Sequence, residues 1–124
     1  MPRILVVDDE TGIRSLVKVT LAGDSRYQVD EAADGEEALK KIEANKPQLI
    51  LLDIVMPKMN GIDVCRAVKA NPKTRDIYVV MLSSVMEQSQ RKQLEDAHPD
   101  TFFTKPFSPT ALLRKLDELL APPK

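Results

Sequence analysis

The chain has one cysteine, Cys65, so no disulfide can form within it and nothing in it requires an oxidising compartment. It has one histidine, His98, with no second histidine or base partner for a catalytic pair or a nitrogen-rich metal site. An excess of either charge is also missing. Lys and Arg number 18 against 19 Asp and Glu, a formal net charge of −1, which points neither to nucleic acid nor to an anionic membrane. No apolar run approaches the ~18–20 residues that span a bilayer, and no basic stretch leads into an apolar one as in a secretion signal. Internal repeats and low-complexity tracts are absent too. A cytoplasmic protein is the expectation. At 124 residues, 43% hydrophobic and 30% charged, the chain suits one domain over residues 1–120, with Ala121-Pro122-Pro123-Lys124 as a tail or the start of a linker.

What the sequence does contain is a series of short aliphatic runs that end in chemistry. Leu49-Ile50-Leu51-Leu52 has the uniform apolarity of a strand buried on both faces, and it delivers Asp53 to its C-terminal end before Pro57 and Asn60-Gly61 impose a loop. Ile4-Leu5-Val6-Val7 repeats the pattern and ends in Asp8-Asp9-Glu10. Ile13, Leu16, Val17, Thr20 and Leu21 follow at helical spacing, stopping near Gly23. Tyr27-Gln28-Val29-Asp30-Glu31-Ala32 is of mixed polarity and suits an edge strand. Asp34 reads as an N-cap with Glu37 as its capping-box partner, and Ala38, Leu39 and Ile42 make that helix's apolar stripe up to Asn45-Lys46-Pro47. Ile62, Val64, Cys65 and Val68 mark another helix, stopped by Asn71-Pro72. The fourth strand, Ile77-Tyr78-Val79-Val80-Met81-Leu82, ends in Ser83-Ser84. A thinly apolar helix is expected over 87–97. Thr101-Phe102-Phe103-Thr104 is the fifth strand, ending in Lys105-Pro106, and Ser108-Pro109 opens a last helix carrying Leu112, Leu113, Leu116, Leu119 and Leu120.

Five strands alternating with five helices make a doubly wound α/β domain with a parallel sheet. Right-handed crossovers leave few topologies, among which we choose the flavodoxin-like strand order 2-1-3-4-5, with the first and third strands adjacent at the switch point. One edge of the sheet then carries Asp8, Asp9, Asp53, Ser83 and Lys105. Three converging carboxylates repel unless a cation sits among them. An all-oxygen set favours Mg²⁺, which can take a phosphoryl oxygen as a further ligand. With the Lys105 ammonium and the Ser83 hydroxyl, these are the parts for phosphoryl transfer onto an aspartate.

In this arrangement the chain resembles, from end to end, a receiver domain of bacterial two-component response regulators. Val6-Val7-Asp8-Asp9-Glu10 is similar to the family's acidic pair, Asp53 with Met56-Pro57 and Gly61 to its phosphoacceptor segment, Ser83-Ser84 to its Thr/Ser switch site, and Lys105-Pro106-Phe107 to its Lys-Pro motif. The strand order chosen above is also the family's, so it is inherited from the resemblance. The resemblance implies that Asp53 accepts a phosphoryl group from a sensor histidine kinase or a histidine phosphotransfer protein. It implies Mg²⁺ bound by Asp9, Asp53 and the backbone carbonyl of Val55, with Asp8 acting mostly through a coordinated water. Lys105 would pair with the phosphoryl group, and the Lys105-Pro106 peptide would be cis. Ser83 would move toward the phosphoryl oxygens, and Phe102 would turn inward behind it. The downstream effector is not identified by these residues, and homodimerisation on phosphorylation through the fourth and fifth helices is left open.

Each feature also has a plainer reading. Asp8-Asp9-Glu10 suits a helix N-terminus, Ser83-Ser84 suits a turn, Lys105 suits an exposed surface, and Phe102 with Phe103 suits a strand core. Cys65 reads as a small buried hydrophobe and His98 as a loop residue. Three other functions compete with the switch. An aspartate-nucleophile phosphohydrolase would typically carry a second acid two residues after the nucleophile, where this chain has Val55. A flavin carrier would need a phosphate cradle where the first loop is acidic. A phosphate-independent interaction module would have no use for the acidic pocket. The sequence departs from the family at His98-Pro99, where a Gly-Ala turn is usual, at Ser84, often Ala, and at Val55, where a polar residue can orient a hydrolytic water. An apolar Val55 should therefore prolong the aspartyl phosphate. Phosphate release is expected to be faster in Val55→Asn than in the unaltered chain, and equal lifetimes would discard that role.

Overall fold

The computed structural model describes residues 3–22, 27–54, 59–83, 99–104 and 108–120. In chain order the elements are β1 (Arg3–Val7), α1 (Thr11–Ala22), β2 (Gln28–Ala32), α2 (Gly35–Ala44), β3 (Leu49–Asp53), α3 (Gly61–Ala70), β4 (Tyr78–Ser83), β5 (Thr101–Thr104) and α4 (Pro109–Leu120). All four strand pairings are parallel, and the sheet order is β2-β1-β3-β4-β5, as expected. Four helices stand among the described residues against the five anticipated; the helix expected over 87–97 falls outside them.

The continuous aliphatic runs are explained by two cores, one on each face of the sheet. Successive side chains of a strand point to opposite faces. Leu5, Val7, Ile50, Leu52, Val79 and Met81 therefore pack toward α2 and α3, joined by Ala38, Ile42, Ile62, Val64, Cys65 and Val68. Their neighbours Ile4, Val6, Leu49, Leu51, Val80 and Leu82 pack on the other face against Val17 and Leu21 of α1 and Leu112 and Leu116 of α4. β3 is buried at all five positions. Cys65 is fully buried, and loss of hydration pushes its thiol up to about 11, as befits a core residue.

Local signals hold the helices in place. Asp34 Oδ1 accepts the Glu37 N–H at 2.9 Å, which is the expected cap of α2. The Glu37 carboxylate, however, accepts the Ala33 N–H at 2.8 Å, one residue before the cap, so the box closes one position further out than its usual form. Asn60 caps α3 through the Asp63 N–H at 2.9 Å, and the Ser108 hydroxyl oxygen accepts the Ala111 N–H at 3.1 Å ahead of α4. β2 is an edge strand, and its acids are tied to both neighbouring helices. Arg14 and Lys18 of α1 bond Glu31 at 2.8 and 2.6 Å, and Lys41 of α2 bonds Asp30 at 3.2 Å and also the Glu31 carbonyl.

At the N-terminal end of the sheet a single ammonium joins three segments. Lys69 Nζ donates to the Arg75 carbonyl at 3.1 Å, the Ile77 carbonyl at 2.8 Å and Asp100 Oδ2 at 2.6 Å. Asp100 Oδ2 also accepts the Val79 N–H at 2.8 Å, and the Asp100 N–H donates to the Val79 carbonyl at 2.9 Å. This cluster fixes where β5 begins beside β4. Lys69→Met strips one charged donor from three acceptors and is expected to lower the stability by about 2 kcal/mol, read as a lower midpoint of chemical denaturation with an unchanged slope.

Candidate functional site

Strand register explains how acids distant in the chain meet. Val7 of β1 lies beside Leu52 of β3, so the next residues, Asp8 and Asp53, are level at the C-terminal edge. One carboxylate oxygen from each of Asp8, Asp9 and Asp53 falls in a group whose members all lie within 4.8 Å of one another. Asp8 is fully buried and Asp53 only 4% exposed, while Asp9 is open to solvent. Burying carboxylates side by side is costly without a compensating charge. The donor set consists of hard oxygens alone, which fits Mg²⁺ and does not fit a soft or nitrogen-seeking metal.

Backbone contacts hold these acids from behind. The Asp8 N–H continues the sheet by donating to the Ala32 carbonyl at 3.1 Å, and Asp8 Oδ1 accepts the Glu10 N–H at 2.9 Å. The Asp8 carbonyl accepts from Arg14 Nη1 at 2.6 Å. Asp53 is held by the start of α3. The Gly61 N–H donates to the Ile54 carbonyl at 2.8 Å, and a Cβ on Gly61 would lie 2.0 Å from the Asp53 carbonyl oxygen. Only a glycine lets the helix come this close to the peptide of Asp53.

The remaining expected site residues are placed unequally. Ser83 is the last residue of β4 and pairs with Thr104, one step beyond the Asp53–Leu82 pair, so its backbone stands on the same edge as the acids. Lys105 follows Thr104 directly, but Lys105 and Val55 both lie outside the described residues, as do Ser84 and His98. Phe102 is 38% exposed, whereas Phe103 packs into the core on the α1–α4 face. The pair thus divides: Phe103 is half-buried against the core, and Phe102 stands at the surface in this structure. Sequence reasoning missed Arg14 and Glu31 altogether. Their only signal was an arginine one helical turn after the acidic run and an acid on an edge strand.

A family model described as "Response regulator receiver domain" matches residues 4–117. The chain belongs to this family. Among curated relatives, this receiver domain is 41% identical over 119 residues to the transcriptional regulatory protein ResD of Bacillus subtilis, covering 95% of the chain and 48% of that protein. It is also 41% identical over 118 residues to the alkaline phosphatase synthesis transcriptional regulatory protein PhoP of the same organism, again covering 95% of the chain and 48% of the relative. The chain therefore spans about half the length of the curated relatives it matches. Among solved structures, it is similar to the chemotaxis response regulator CheY4 of Vibrio cholerae, with a TM-score of 0.87, 32% identity, and coverage of 97% of this chain and 99% of that one.

The contact at Gly61 yields a direct test. Gly61→Ala should force the α3 start away from β3, costing about 2 kcal/mol or more in denaturant unfolding and weakening divalent-cation binding in the same variant.

Proposed function

We propose that this receiver domain is a phosphorylation-dependent switch of a two-component system, with Asp53 as phosphoacceptor. The single observation that carries the reading is the convergence of the Asp8, Asp9 and Asp53 carboxylates at the C-terminal edge of a receiver-type sheet. The donor is a phosphohistidine on a sensor histidine kinase or a histidine phosphotransfer protein. An Asp53 carboxylate oxygen attacks phosphorus, the P–N bond breaks, and its electron pair returns to the imidazole nitrogen of the donor.

Asp9, Asp53 and the Val55 carbonyl would hold Mg²⁺, with Asp8 acting through water; the ion, when bound, neutralises the charge that builds on the phosphoryl oxygens. Lys105 supplies a second positive charge to the transferred group, and Ser83 supplies a hydroxyl donor. Phe102, exposed in this structure, turns inward as Ser83 moves, and so alters the surface offered to partners. The output passes to a downstream effector. The domain does not itself bind nucleic acid, consistent with its net charge of −1, and it does not act as a multi-substrate enzyme. Homodimerisation on phosphorylation is one route by which the changed surface is read. The setting is cytoplasmic, and among the described residues no helix is long and apolar enough to cross a membrane. Residues 1–120 form the domain and 121–124 a tail or linker start.

Acetyl phosphate with Mg²⁺ should add one phosphoryl group to the unaltered chain, seen by intact-mass spectrometry. The adduct should vanish in Asp53→Ala or when the cation is chelated. An adduct that survives Asp53→Ala would overturn the assignment of the acceptor.

A further inference from the structure

Arg14 sits in the first turn of α1, yet its side chain is only 14% exposed and bends back toward the acidic edge. Its guanidinium makes three contacts at once: Nη1 to the Asp8 carbonyl at 2.6 Å, Nε to Glu31 Oε1 at 2.8 Å, and Nη2 to Thr11 Oγ1 at 3.4 Å. The first grips the peptide that joins Asp8 to Asp9; the second anchors the fork to edge strand β2. Hydrogen bonds from Lys18 and then Arg14 hold the Glu31 carboxyl below the ordinary carboxylate range, and the Arg14 bond ties the fork to β2 whether or not Lys18 is present. Among the described residues, Asp8 is held through its N–H, its carbonyl and one carboxylate oxygen. Among the described residues, no hydrogen bond holds the Asp9 carboxylate, so its direction depends on the peptide before it.

We propose that Arg14 is a positioning residue of the acidic pocket: by clamping the Asp8–Asp9 peptide to Glu31 of β2, it sets how tightly the three carboxylates hold a divalent cation. This inference rests on the reading of the pocket given under Proposed function. Arg14 does not touch the cation or the phosphoryl group. It acts through the peptide whose direction aims Asp9. A planar fork can grip a carbonyl and a carboxylate together, and a lysine ammonium on a flexible stem is a poor substitute.

Two physical effects of Arg14 oppose each other, so the sign of a substitution separates them. As a charge alone, Arg14 repels a cation, and its removal would tighten binding. As a clamp, it keeps the carboxylates in the narrow geometry that Mg²⁺ demands at about 2.0–2.1 Å, and its removal weakens binding. Outer partners that orient metal ligands are typically worth about 10–100-fold in affinity, whereas a partly solvated charge near the site acts through a screened field. The clamp should therefore prevail.

Mn²⁺ is a convenient stand-in for Mg²⁺ because its free ion is counted directly by electron paramagnetic resonance. Titration of the full chain with Mn²⁺, with Mg²⁺ as competitor, should show about tenfold weaker binding in Arg14→Gln. Arg14→Lys should recover little of that loss. Lys18→Gln also removes a positive charge bonded to Glu31 but leaves the clamp intact, and it should bind as the unaltered chain does or slightly tighter. Adding Glu31→Gln to Arg14→Gln should weaken binding no further, since both break the same link. The metal-free denaturation midpoint of each variant reports folding separately; if Arg14→Gln does not fold, Arg14→Lys and Glu31→Gln alone carry the test. Equal or tighter Mn²⁺ binding by folded Arg14→Gln would overturn the inference and leave the receiver reading standing. Failure of the unaltered chain to bind Mn²⁺ would bring down both.

Discussion

Like charges held together away from water are the constraint around which this domain is organised. Two of the three carboxylates at the sheet edge have almost no exposure, and the third lies within 4.8 Å of both. An arrangement of that kind does not form for its own stability. It persists because β1 and β3 are embedded between two helical layers and cannot shift without disrupting both cores. The apolar strands fix the register, and the register brings Asp8 level with Asp53. A one-residue slip would move every strand side chain to the opposite face, so the hydrophobic pattern protects the acidic site as well as the core.

Much of this was legible in the residues because buried parallel strands announce themselves. Three runs such as Leu49-Ile50-Leu51-Leu52 carry no charged interruption, and each ends where the chemistry starts. The polar character of β2 correctly marked an edge, and Asp34 correctly marked a helix start. The strand order came with the family likeness; periodicity alone leaves other right-handed arrangements open. Less legible were contacts whose partners are far apart in sequence and individually ordinary. Nothing in the sequence links Lys69 to Asp100, which the fold brings to 2.6 Å, or Arg14 to Glu31 at 2.8 Å. Phe102 and Phe103 are chemically identical neighbours, and only the alternation of the strand and the layer covering each face distinguish them. The close fit of Gly61 against the Asp53 carbonyl is similarly invisible in one dimension, since a glycine after asparagine suggests a turn as readily as a helix start.

The two ends of the sheet are built for different tasks. At the N-terminal end, charges are neutralised: Lys69 meets Asp100 and two carbonyls, and Lys46 meets Asp76 at 2.7 Å. At the C-terminal end, negative charge is gathered. Chemistry gathered beyond the C-terminal ends of the strands is the division seen generally in open α/β sheets.

The rim of β2 has a consequence of its own. A bare outer strand is an invitation to pair with a second molecule, backbone to backbone. Here that invitation is withdrawn, because Asp30 and Glu31 project charge along the rim and Arg14, Lys18 and Lys41 fasten it to the helices on either side. Sheet extension between copies is thereby disfavoured along this border, which guards a crowded solution of the protein against fibril-like stacking there.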